Sequence, residues 1–227
     1  PAPPPVPPPT AGGPSVGSDP GARTALHRLT ATEWRNAAED LLGVRWTGEL
    51  PAEYALHGYG SIGAGEVTIA PLDLELLETA AWEVAQGAIQ PGADPTGLLA
   101  CEGAPLLGAE DSGAGDSLPC ARAALVPFLS RALRRPASRS EVERGLTLWT
   151  AVLADSGSPL IAAQALAAAT LLSPEFLFRV ELGQDSGPNR DRRLLTGPEQ
   201  AARIALTLLD RPPDDALRVA GELGALS

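Results

Sequence analysis

Residues 128–183 read FLSRALRRPASRSEVERGLTLWTAVLADSGSPLIAAQALAAATLLSPEFLFRVELG, and this stretch decides the fold class. It opens with the end of a basic helix, which Pro136 closes because a proline further along would remove a hydrogen bond and clash with the preceding turn. Ser138 and Glu141 then have the spacing of a capping box, and Val142, Leu146, Trp149 and Leu153 follow on one helical face. Ser158 with Pro159 starts a helix that is apolar on every side, which predicts a place at the centre of a bundle. Ser173, Pro174 and Glu175 begin a short helix carrying Phe176 and Phe178.

The same signals recur on either side. Thr30 and Glu33 make a capping box ahead of Trp34, Ala37, Ala38, Leu41 and Leu42, and Gly43 ends that run. Pro71 opens a second helix with Leu74, Leu77, Ala81, Val84 and Ala88 on one face, stopped by Pro91-Gly92. Ala121, Ala124, Leu125, Phe128, Leu129 and Ala132 give another stripe, in which Pro127 predicts a kink. Thr196 and Glu199 cap a further helix through Ala201, Ile204, Ala205 and Leu208, and Pro212-Pro213 separates it from a last one near Asp214. The expected class is all-α, a bundle of seven or eight helices with no strand pair. The expected partition is a Pro-rich linker at 1–22, a helical region with a long loop at 23–116, a helical domain at 117–185, and the start of another domain at 190–227.

With 227 residues and 44% apolar content, the chain can bury a sizeable core. Residues 1–22 are dense in proline with almost no large apolar side chains, a composition that does not repay the entropy of ordering and reads as a disordered tether. The chain has no Met, which fits numbering that begins after a removed export signal or at a cloning boundary, and a lipid or membrane anchor ahead of Pro1 is compatible with it. The longest apolar run, Leu160 to Leu172, falls short of the roughly 18 residues of a membrane span. A net charge of −11 disfavours nucleic acid as a partner. All 17 basic residues are arginine, a choice ascribed to a GC-rich genome. Arg131, Arg134, Arg135, Arg139 and Arg144 nevertheless cluster. Arg134 and Arg135 read first as last-turn cations complementing a helix dipole, and second as a docking site for an acidic partner.

Cys101 and Cys120 bracket a loop rich in Gly, Asp, Ser and Pro. In an exported chain they are expected to form a disulfide, worth about 3 kcal/mol in the chain-entropy model. Neither belongs to a CxxC or CxxCH, so zinc and covalent haem lack their spacing. Gly58, Gly60 and Gly63 have the spacing of GxGxxG, and Ser61 with His57 nearby approaches a GxSxG elbow. Both motifs need a preceding strand that is not predicted. Asp73, Glu75 and Glu78 read as carboxylates favouring the N-terminus of their helix. His27 and His57 stand singly, so neither a metal nor a cofactor is expected. Trp34, Trp82 and Trp149 read as core anchors. Trp46 is a candidate for stacking on a ligand, and His57, Tyr59 and Ser61 are candidate contacts in the 43–70 loop.

Several motifs resemble those of a family. Leu29-Thr30, Glu33, Asp40-Leu41-Leu42-Gly43, Leu50-Pro51 and Gly58-Tyr59 resemble the start of exported planctomycete-type bacterial proteins built from domains of unknown function 1587, 1595 and 1592. Arg131-Ala132-Leu133-Arg134-Arg135-Pro136 and Leu172 to Glu181 look like the 1595 domain, and Leu195-Thr196 to Leu223 looks like the opening of the 1592 domain. The resemblance implies export and a pattern that continues past Ser227. The expected role is an exported helical module that binds or scaffolds at the cell envelope, with an unknown protein or polymer as partner. The alternative is a fragment of an extracellular enzyme, hydrolytic or electron-transferring, whose reactive centre lies in the 43–70 loop or beyond Ser227.

Overall fold

The computed structural model describes residues 25–53, 69–99, 101, 117–185 and 193–226. Eight helices lie among them: α1 (Ala31–Leu42), α2 (Pro71–Ala88), α3 (Ser117–Ala132), α4 (Arg139–Ser156), α5 (Pro159–Leu171), α6 (Pro174–Leu177), α7 (Gly197–Leu209) and α8 (Asp215–Glu222). The expected starts are present as geometry. Thr30 Oγ1 accepts from Glu33 N at 3.1 Å while Thr30 N donates to Glu33 Oε2 at 2.7 Å, so two amide groups at the open end of α1 are satisfied reciprocally. Ser138 with Glu141 and Thr196 with Glu199 do the same for α4 and α7. Gly43 and Gly157 end α1 and α4 in the left-handed conformation, with φ of 76° and 63°.

The apolar helix is the axis of packing. α5 buries Ala162, Ala163, Leu166, Ala167, Ala168 and Leu171, and lies against α2 and α4. Its Gln164 Nε2 donates to the carbonyl of Ile89 at 2.9 Å, satisfying a buried amide at the end of α2. α3 runs through Pro127, which is exposed, so the carbonyl four residues earlier that loses its donor is open to water. One cluster of buried side chains extends from Leu29 to Leu206 and includes Trp34, Trp149 and Phe176. Trp34 and Phe176 meet edge to face with ring centroids 6.5 Å apart.

Three expectations need correcting. Strands do pair: β1 (Ala25–Arg28) runs antiparallel to β2 (Phe178–Glu181), and β3 (Gln184–Asp185) to β4 (Arg193–Leu194). Phe178 thus leaves the short helix, which ends at Leu177, because Leu29 N donates to Leu177 O at 2.8 Å and draws the chain into the ladder. Leu74 is exposed, since the buried face of α2 starts a turn later at Leu77. Arg134 and Arg135 lie past the end of α3, and the last-turn cation is Arg131.

Cys101 and Cys120 form a disulfide with Cα atoms 5.8 Å apart, tying the chain after α2 to the first turns of α3. No helix among the described residues is long and apolar enough to cross a membrane. The 1–22 head and most of the 43–70 loop lie outside the described residues.

Candidate functional site

Arg134 is the least ordinary residue of the fold. It has φ of 59°, a left-handed conformation that a side chain disfavours. The turn is fixed by Leu133 N donating to Leu129 O at 2.8 Å and Arg134 N to Arg131 O at 3.2 Å. It sends the guanidinium inward, where the residue is only 4% exposed. Nη2 donates to the carbonyl oxygens of Glu175, Phe176 and Phe178 at 2.9, 3.1 and 2.9 Å, collecting groups that the short α6 leaves without donors. The guanidinium carbon lies 5.7 Å from the centre of the Phe176 ring. Burial pulls its pKa down to about 10, with Glu33 opposing, so it remains a cation at neutral pH. Among the described residues no carboxylate pairs with it, and its buried Nη1 has no hydrogen-bond partner.

Its neighbours divide into paired and unpaired cations. Arg135 forms a fork with Glu141, Nη1 to Oε2 at 3.0 Å and Nη2 to Oε1 at 2.6 Å, which fastens the α3–α4 junction. The Arg135 hydrogen bond, assisted by Ser138 and opposed by burial, lowers the Glu141 carboxyl to about 2. Arg131 Nη2 donates to the carbonyl of Asp40 at 2.6 Å, near the C-terminus of α1 where a cation is favoured. Arg211 pairs with the Asp40 carboxylate, and Asn36 Nδ2 donates to Asp210 O at 2.8 Å, so the α7–α8 corner is fastened to α1.

Between these parts is a cavity of about 490 Å³. Its apolar wall includes Leu41 of α1, Phe176 of α6, Leu209 of α7, Pro212 and Leu217 of α8. Four arginines line it, Arg131, Arg134, Arg211 and Arg218, with Asp40, Asp214 and Asp215. Arg218 is held by Glu222 at 2.7 Å and Asp215 at 3.3 Å, and Asp214 accepts from Leu217 N at 2.8 Å as the cap of α8. A cavity of this size, walled by apolar side chains and by these seven charged ones, has room for a small molecule.

The candidates from the sequence are scattered. Trp46 is half-buried and packs on the core, its indole nitrogen buried without a partner, and a Cβ on Gly48 would overlap its ring. That places the indole against its own chain. Arg134 turns into the protein and Arg135 is held by Glu141, so neither is offered as a free cation to an acidic partner. His57, Tyr59 and Ser61 lie outside the described residues, as do Gly58, Gly60 and Gly63. Asp73 accepts from Ala70 N at 3.0 Å at the start of α2 and lies 3.9 Å from Arg28. His27 stands opposite Arg179 in the β1–β2 ladder, and burial, followed by the Arg179 cation, lowers its pKa. Trp34 and Trp149 are buried, and Trp82 packs on the core. Among the described residues no group of three or more His, Cys, Asp or Glu is placed to hold a metal.

Two charged features escaped the sequence reading. One is the cavity, whose walls come from positions as distant as Ala37 and Arg218. The other is Glu181, buried at 4% exposure, which accepts from Arg203 Nε at 2.9 Å and lies 2.8 Å from Arg179 Nε, joining α7 to β2. The only signal for the first was Pro212-Pro213, which bends the chain back.

Comparison with known families finds two matches. Residues 27–90 match the model of PSD3, a protein of unknown function (DUF1587), and residues 120–181 match that of PSD5, a protein of unknown function (DUF1595). No curated protein and no solved structure matches the chain. The matched segments share one core, through the β1–β2 ladder and the Trp34–Phe176 contact. The cavity takes α1 from the first, Arg131, Arg134 and Phe176 from the second, and residues 209–218 from neither.

Proposed function

We propose that this chain is an exported binding module of the cell envelope and that it binds through the cavity between α1, the end of α3 and the α7–α8 corner. The observation that carries the reading is that cavity, large enough for a small molecule or the end of a longer one and lined by both apolar and charged side chains. Export is supported by the Cys101–Cys120 disulfide, which suits an oxidising compartment, and by a proline-dense head whose composition suits a tether. The motif from Leu195 to Leu223, with its likeness to the 1592 domain of exported bacterial proteins, points the same way. A module of this kind holds a partner or polymer in place and performs no bond chemistry itself.

The test is photo-cross-linking in the native envelope with the full protein. A benzophenone side chain replaces Leu209, which lines the cavity yet is exposed, or Thr147, exposed on α4. The reading expects a discrete adduct from position 209 and none from 147. Equal labelling from both positions, or none from either, would overturn it.

A further inference from the structure

We infer that the joint between the β1–β2 ladder and α7 is acid-sensitive, with His27 as its titrating group: a proton on the imidazole sets a third cation against the two arginines gathered by Glu181, and the hold on α7 and α8 weakens. The geometry comes from the pleat. His27 stands directly opposite Arg179 and Ala25 opposite Glu181, so the alternation of side chains brings His27, Arg179 and Glu181 to one face of the ladder. Glu181 is buried and joins that face to α7, accepting from Arg203 Nε at 2.9 Å and lying 2.8 Å from Arg179 Nε. One carboxylate already serves two guanidinium groups. Glu199 completes the joint from α7, its Oε1 accepting from Leu182 N at 2.7 Å and Gly183 N at 3.0 Å.

Among the described residues the charges that bear on His27 are Arg179 and Glu181 from β2 and Arg203 from α7. Burial and then Arg179 disfavour its cation, Glu181 favours it and Arg203 disfavours it, and the outcome is a pKa below 6.5. Like charges directly across a ladder destabilise it. Because the folded pKa is lowered, the open chain takes up the proton more readily. The stability that neutral His27 allows is therefore complete above pH 6.5 and falls away as pH drops through 6.5 towards the folded value. Glu199, against the burial of its carboxyl, is held below 4.5 by hydrogen bonds from Thr196, Gly183 and Leu182, so it keeps its charge in that window. The α7–α8 corner carries Leu209, Arg211, Leu217 and Arg218 of the cavity wall, and acid thus loosens one side of the cavity. The consequence for a bound partner rests on the binding reading above, whereas the joint itself does not.

Proton NMR of the full chain between pH 5 and 8 follows the imidazole, and His27→Gln identifies its signal against that of His57, the other histidine. Hydrogen exchange, corrected for intrinsic rates, then compares α7 with α4 at pH 5 and pH 7.5. In the wild type the His27 midpoint is expected below 6.5, and the opening constant of the α7 amides is expected to be at least about twofold larger at pH 5 than at pH 7.5, with α4 unchanged. His27→Gln, neutral throughout, is expected to abolish the difference. A His27 midpoint at or above 6.5, an α7 opening constant equal at the two pH values, an equal response in α4, or an acid response retained in His27→Gln would each overturn the inference. A discrete adduct from position 209 with no acid response would remove only the switch; the acid response with no adduct at any pH would keep the switch and remove the binding reading.

Discussion

Replacing Arg134 by Met tests what the buried cation does for the fold. Met has nearly the same reach and fills the same space, so the change removes charge and donors with little cavity. The two protons of Nη2 are shared among the carbonyls of Glu175, Phe176 and Phe178, at 2.9 to 3.1 Å. Two charge-assisted bonds at about 1.5–3 kcal/mol each, with about 1 kcal/mol for the guanidinium on Phe176, give a gross loss of about 4–7 kcal/mol. Against this stands the relief of no longer burying a cation. The fall of its pKa from 12.5 to about 10 corresponds to about 3 kcal/mol. The donors win, and Arg134→Met is expected to destabilise by about 1–4 kcal/mol. Urea unfolding at pH 7, followed by Trp fluorescence, reads this well, since Trp34 touches Phe176. An unfolding free energy within about 0.5 kcal/mol of wild type, or above it, would refute the assignment of Arg134 as the anchor of α6.

Two further changes probe the joints around the site. Glu141 has its folded pKa depressed from 4.5 to about 2, so the stability it contributes is present above pH 4.5 and is lost as pH falls through 2. Glu141→Gln keeps the capping box and loses the Arg135 fork. It should cost about 1 kcal/mol at pH 7 and flatten the fall in unfolding free energy between pH 4.5 and 2, as measured by urea titration at each pH. Gly221 of α8 lies against the start of α7, where an added Cβ would stand 2.6 Å from the Gly197 carbonyl oxygen and 3.1 Å from the Ala201 Cβ. Gly221→Ala should therefore cost about 1–3 kcal/mol and loosen the α7–α8 corner, seen as faster amide exchange in α8 than in α4.

The helices were legible because their signals are local. Thr30 with Glu33, Ser138 with Glu141 and Thr196 with Glu199 close their caps within one turn, and Pro71, Pro159 and Pro174 start helices where their missing amide costs nothing. The strands were not legible. Leu26 and His27 pair with Val180 and Arg179, across most of the chain, and a four-residue run has no strand signal until its partner is in place. Arg134 reads as a helix-end cation because sequence gives its charge, whereas its role comes from a left-handed turn at a position where glycine is the usual resident. The cavity was hidden for the same reason as the strands. Asp40 and Arg211 look like solvated charges until the corner at Pro212-Pro213 brings α8 back onto α1.

The account depends on the two family-matched segments folding as one body, since the cavity exists only where α1 meets Arg131, Arg134 and Phe176. Hydrogen exchange in the intact native protein measures this directly. The slowest amides of α1, α2 and α5 are expected to exchange with one shared opening free energy, because Trp34, Leu77 and Leu166 lie in a single buried cluster. Amides of α1 and α2 that open independently of those in α5, with a separate and lower free energy, would contradict it.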